Sequence, residues 1–439
     1  MKRIIYLIII LILILKKIKL YITIPFEIDN LSLNLNDEEF MRNLFFNELY
    51  INISIGSLKQ NIPLKIKSTS QLSYIINSNS NHYGIKFYSE KSSSLEIIKK
   101  NKINFLNQEI LSGLFVNDNF ILGNEKINKK LNFILTDELN NETYIKTSGV
   151  FGLGNKINIM NPYIDPILNQ LKKLNIIQYQ SFTFHFTNKN KGNLIIGNYL
   201  FELKKPIYKK EAYQEIICNK DVDNYIFAIN AKLKFSETQI KSNLLLFATE
   251  YGLIIGSNDY YYEIKEKFFD NKISNGICEE KTFEIKGIYP SIYNNKYFYF
   301  ICKKDVNIKN FPSLKIMNLE IKFNIELTYE DLFINYNNKQ YFLVIFADSN
   351  DPTHLFQFLI GNLFLKKYDI TFDSDRKIIG FYEKNKKYEN RTFWFFLLFL
   401  ILIGLFLYLL FLIKQYKKRF IKKINAHELM DDQNFYPLK

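Results

Sequence analysis

Cysteine is scarce: three occur in 439 residues, which excludes a disulfide-dense small scaffold and a zinc-ribbon array. Glycine (16) and proline (9) are also few, so collagen-like and glycine-rich linker architectures are excluded. The histidines His82, His185, His354 and His427 are scattered along the chain and read as surface or packing residues rather than ligands. His-Glu-x-x-His, P-loop, Gly-x-Ser-x-Gly and Cys-x-x-Cys patterns are all missing. No tandem repeat of solenoid period is visible. No metal and no cofactor is therefore expected.

What is there is apolar and aromatic, at 47% and 16% of residues. That suffices to bury the core of two domains or of one large two-lobed domain, and it excludes a disordered polymer. The excess of Asn, Lys, Ile, Phe and Tyr reads as coding bias and carries no functional weight. The net charge of +14 is concentrated at the ends. Lys2, Arg3, Lys16, Lys17 and Lys19 precede any acidic residue, and the segment from Lys414 to Lys439 is rich in Lys and Arg. The body between is close to neutral, a pattern that fits membrane topology better than nucleic-acid binding.

Ile4 to Leu15 is an unbroken apolar run after Lys2-Arg3, with the length of a secretory signal's apolar region. An uncleaved signal anchor extending towards Ile24 is the alternative. Phe393 to Ile413 carries no charge and is long enough, at about 1.5 Å per residue, to span a bilayer as a helix. The basic cluster that follows predicts a cytosolic C-terminus. The body is then expected in the secretory lumen or outside the cell, on a single-pass membrane protein of the secretory pathway or cell surface. In that setting Asn30, Asn52 and Asn141 become candidate glycan acceptors.

Between these ends the chain reads as mostly β. Short β-branched or aromatic runs such as Leu49–Ile55, Phe182–Phe186 and Tyr297–Cys302 are broken by Asn, Gly, Ser and Lys. Ile164, Ile167, Leu168, Leu171 and Leu174 have helical spacing and predict a helix over 164–176.

Several stretches together resemble the pepsin-like aspartic peptidases. Residues 50–75, YINISIGSLKQNIPLKIKSTSQLSYI, align without a gap to that family's first motif. SGVFGLG (Ser148–Gly154) is similar to its Asp-Gly-Ile-Leu-Gly-Leu signature, and LIGNLFLKKYDITFDSDRKIIGF (Leu359–Phe381) is similar to its terminal signature. The resemblance implies a bilobal, pepsin-like double β-barrel with short helices, to which the apolar run 393–413 adds one C-terminal transmembrane helix. Its expected parts are a signal peptide or anchor at 1–23, a lead segment at 24–44 and lobes at 45–210 and 211–384. A stalk at 385–392, a membrane helix at 393–413 and a cytosolic tail at 414–439 complete it.

The family mechanism needs two facing carboxylates, one from each lobe, that share a proton; one activates water and the other assists the scissile carbonyl. Here the alignment puts Lys67 at the first aspartate position and Ala248 at the second, within LLLFATEYGLIIGS (Leu244–Ser257). A one-residue slip brings Phe247 there instead, which is no better. An ammonium at Lys67 cannot complete a dyad, and Glu250 is the nearest carboxylate; the two read as a lobe-bridging ion pair or solvated charges, with a non-standard acid/base pair as the alternative. Tyr88 is the candidate for the family's flap tyrosine, with an ordinary strand tyrosine as the competing assignment. The resemblance also implies a disulfide between Cys278 and Cys302, leaving Cys218 over. The expectation is an inactive pseudopeptidase that binds a peptide or protein in its interlobe cleft. The alternatives are an active aspartic-type endopeptidase with a non-standard site and a structural or adhesive surface protein.

Overall fold

The computed structural model of the chain describes residues 21–28, 34–81, 84–104, 110–123, 125–139, 147–154, 165–197, 208–211, 213–219, 222–234, 240–284, 296–317, 324–348, 357–383, 403–404, 406–419 and 421. Residues up to Glu383 form one unit and Lys384–Lys439 a second.

Among the described residues the first unit is mostly β, with few helices, and its strands fall into a thirteen-stranded and a twelve-stranded sheet. Strict alternation builds the middle of the first sheet. In Leu49–Ile55 the residues Leu49, Ile51, Ile53 and Ile55 are buried, the period of two that turns one strand face inward. Ile22–Ile28 repeats the pattern and lies antiparallel between Lys191–Ile196 and Leu49–Ile55. Ile22 and Thr23, placed at the end of the expected leader, are thus paired with Ile196 and Ile195.

The chain closes on itself at its far end. Tyr368–Asp373 pairs with Ser181–Phe186, and Ile378–Glu383 pairs with Tyr208–Glu211, so both late strands belong to the first sheet. Phe372 lies on this return path. Its ring meets Phe182 at 5.0 Å, and Phe227 and Phe247 of the second sheet at 5.1 and 5.6 Å. Such aromatic contacts bury large areas and join the two sheets in one apolar core.

The predicted helix over 164–176 is shorter than its apolar spacing suggested: it runs from Ile167 to Lys173. Pro166 stands at its N-cap. At the other end Asn175 takes a left-handed φ of 57°, and Ile176 N–H donates back to the Leu171 carbonyl at 2.9 Å. This is a Schellman-type stop, for which Asn is suited.

Cys278 and Cys302 face each other in adjacent antiparallel strands and are disulfide-bonded. In the second unit, residues 406–419 are helical, with Phe406, Leu407 and Phe411 among its exposed apolar side chains. No helix among the described residues is long and apolar enough to cross a membrane. Residues 393–402 and 405 of the expected span lie outside the described residues.

Candidate functional site at the lobe junction

Each lobe presents the same local construction. In the first, Gln60–Lys67 runs parallel to Gly149–Gly152, pairing Lys67 with Gly152, while Tyr74–Ile76 flanks that strand antiparallel on its other side. In the second, Ile240–Phe247 runs parallel to Gln357–Ile360, and Ile254–Gly256 flanks it antiparallel. Two glycines fix the correspondence. A Cβ on Gly152 would stand 2.4 Å from the Leu72 carbonyl oxygen and 2.7 Å from that of Ser70. A Cβ on Gly361 would stand 2.1 Å from the Leu253 oxygen and 2.5 Å from that of Tyr251. These approaches exclude any side chain. The spacing that carries Ser70 and Leu72 onto Tyr251 and Leu253 carries Lys67 onto Ala248, Ser68 onto Thr249 and Thr69 onto Glu250. On that spacing Lys67 is the last residue of its strand and Ala248 follows directly after Phe247, the last residue of its own.

The loops after these strands meet across the lobes. The buried Ser68 hydroxyl donates to the Phe247 carbonyl at 3.4 Å and accepts from the Thr249 N–H at 3.1 Å. The Thr69 hydroxyl donates to Glu250 Oε1. Glu250 is only 7% exposed, and its Oε2 has no hydrogen-bond partner among the described residues; nor does the Thr249 hydroxyl. Ala248 is buried, and its N–H donates to the Ile360 carbonyl at 3.0 Å. Lys67 is partly exposed, and its carbonyl accepts from Leu153 N–H at 2.8 Å.

A part of the chain with no assigned role buttresses this junction. The helix Asp37–Phe45 opens with a capping box: Asn36 accepts from Glu39 N–H at 2.9 Å, and the Glu39 carboxylate accepts from Asn36 N–H at 3.2 Å. The Asn-x-x-Glu pattern before an apolar run was the signal in the sequence that could have found it. Its apolar face packs on the second lobe, with Phe40 stacked on Tyr336 at 3.9 Å and Phe45 4.9 Å from Tyr251. The Phe45 carbonyl accepts from Gly252 N–H at 2.8 Å, within the loop that carries Glu250. Asp37 accepts from Lys281 at 2.6 Å, Lys339 at 2.8 Å and Tyr341 at 2.6 Å. Burial works to raise the Asp37 carboxyl, but these donors outweigh it and hold the group at about 2.

The other candidates make their described contacts with other residues or fall outside the described residues. Tyr88 is half-exposed in the loop before Glu96–Asn104, with Lys91 4.2 Å above its ring and its backbone bonded to the Gln60 side chain. The first hairpin downstream is formed by Glu96–Asn104 and Ile110–Leu122. Asn52 is exposed in the middle of its strand, while Asn30 and Asn141 fall outside the described residues. Among the described residues no three His, Cys, Asp or Glu side chains are grouped to hold a metal ion.

Two related lobes, each with a strand threaded through a loop and facing the other at the loop ends, define the class. Residues 48–384 match the model of the eukaryotic aspartyl protease family, and the chain belongs to that family. No curated protein matches the chain.

Proposed function

We propose that this chain is a membrane-anchored, catalytically inactive member of its family that binds an extended peptide or protein segment in the interlobe cleft. What carries this reading is the pair Lys67 and Ala248, which the alignment and the spacing of the two glycine contacts bring to corresponding positions. Neither is a carboxylate, so no proton can be shared there and no water activated in the family's way. Glu250, the nearby acid, is engaged by Thr69 instead of by a second carboxylate. An extended ligand in such a cleft is held by main-chain hydrogen bonds and side-chain pockets. The apolar segment 393–413 and the basic residues after it support an anchor with the body on the lumenal or outer face. Asn30, Asn52 and Asn141 are then the glycan acceptors.

The test is incubation of the full chain with a mixed peptide library from acid to neutral pH, with and without a statine-type inhibitor. Peptide retention without cleavage is expected. Inhibitor-sensitive cleavage, surviving mock-purification controls, overturns the reading. The Thr69–Glu250 contact favours one other role, a structural or adhesive surface protein whose lobes are tied shut. Failure to retain any peptide would select it.

A further inference from the structure

We infer that Glu250 is the recognition residue of the lobe junction and that its ligand is a cationic side chain, lysine or arginine, on an extended peptide. This rests on the peptide-binding reading above. The argument starts from unmet hydrogen bonding. Glu250 is 7% exposed, its Oε1 receives the Thr69 hydroxyl, and its Oε2 receives no donor among the described residues. The next hydroxyl along the chain, Thr249, is 1% exposed and also lacks a partner. Buried polar atoms are nearly always hydrogen-bonded in native proteins, and an uncompensated buried charge is costlier still. Two such atoms on consecutive residues mark this loop, as Asp373 Oδ2 and the Ser374 hydroxyl mark another; only the first pair lies at the lobe junction.

Lys65, on the strand that leads into this loop, is ion-paired with Glu48. A cation suits the remaining oxygen better than a neutral amide, because hydrogen bonds between charged groups are roughly twice as strong as neutral ones. The carboxylate is also oriented in advance. Thr69 holds one oxygen, and the Ser68 bonds to Phe247 and Thr249 hold the two loops against each other. Orientation before binding reduces the entropy lost on association.

The experiment measures binding of fluorescent peptides to the full chain. Matched pairs differ only by lysine against norleucine, or arginine against citrulline. The wild type is expected to bind arginine about tenfold more tightly than citrulline, the difference between a charge-assisted and a neutral hydrogen bond, and to prefer lysine over norleucine, which has no donor, by at least as much. Glu250→Gln removes the preference with little loss for the neutral peptides, and Thr69→Val weakens it. Should Glu250→Gln fail to fold by circular dichroism, the matched pairs on the wild type decide alone. Equal binding within each pair overturns the inference and leaves peptide binding standing. Absence of binding by any peptide overturns both.

Discussion

Asp37 is the residue whose removal tests most directly how the N-terminal helix holds to the second lobe. Its carboxylate gathers Lys281, Lys339 and Tyr341, and the group is held at about 2 against an ordinary 3.8. Its side chain is 19% exposed, so solvent screening is modest. A depression of that size corresponds to about 2 kcal/mol of folding free energy. The direction follows from linkage: a carboxyl depressed in the folded state contributes its full stability above the unfolded value of 3.8. That contribution is lost as pH falls through the folded value of about 2. Asp37→Ala is therefore expected to cost about 2 to 3 kcal/mol at neutral pH, since it also leaves Lys281 and Lys339 without this shared acceptor. The assay is urea unfolding of wild type and variant in parallel from neutral pH down through the acid range. The wild type should lose its advantage between the two values and the curves converge below them. A neutral-pH difference under about 0.5 kcal/mol, the size of an exposed ion pair, would refute the clamp.

Two further expectations follow from the same geometry. Gly361→Ala should cost about 2 kcal/mol or more by chemical denaturation, because its Cβ meets the Leu253 carbonyl oxygen at 2.1 Å; an unchanged midpoint would mean that the second-lobe loop is not packed as described. Reduction of the Cys278–Cys302 disulfide, whose residues are 24 apart in sequence, should lower stability by about 3 kcal/mol, read as a drop in melting temperature on adding a thiol that Cys278→Ser/Cys302→Ser reproduces.

Much of the frame was legible in the sequence because it is written in local patterns. The alternation of Leu49–Ile55, the Gly152 and Gly361 contexts and the Cys278–Cys302 pairing were each readable from residues near in sequence or from family resemblance. The correspondence of Lys67 with Ala248 came from alignment alone, and Ala248 follows directly after the last paired residue of its strand, Phe247. The helix Asp37–Phe45 was missed although its capping box is local, because nothing in a lead segment announced a partner. Helix stability comes chiefly from the face a helix buries, and that face is supplied by Tyr336, Tyr251 and Tyr297, hundreds of residues away.

The sequence by itself determined composition, periodicity and the identity of the residues at the two strand ends. Only the tertiary structure decided what those residues touch. Glu250 was read as the carboxylate nearest the two degenerate positions; folding brings it to Thr69 and leaves one oxygen without a described donor. The strand Ile22–Ile28 and the late strands Tyr368–Asp373 and Ile378–Glu383 join one sheet for the same reason. A backbone N–H or carbonyl at a strand edge is satisfied by whichever strand the whole fold brings alongside. That choice depends on contacts between segments far apart in the chain, which no window of sequence contains.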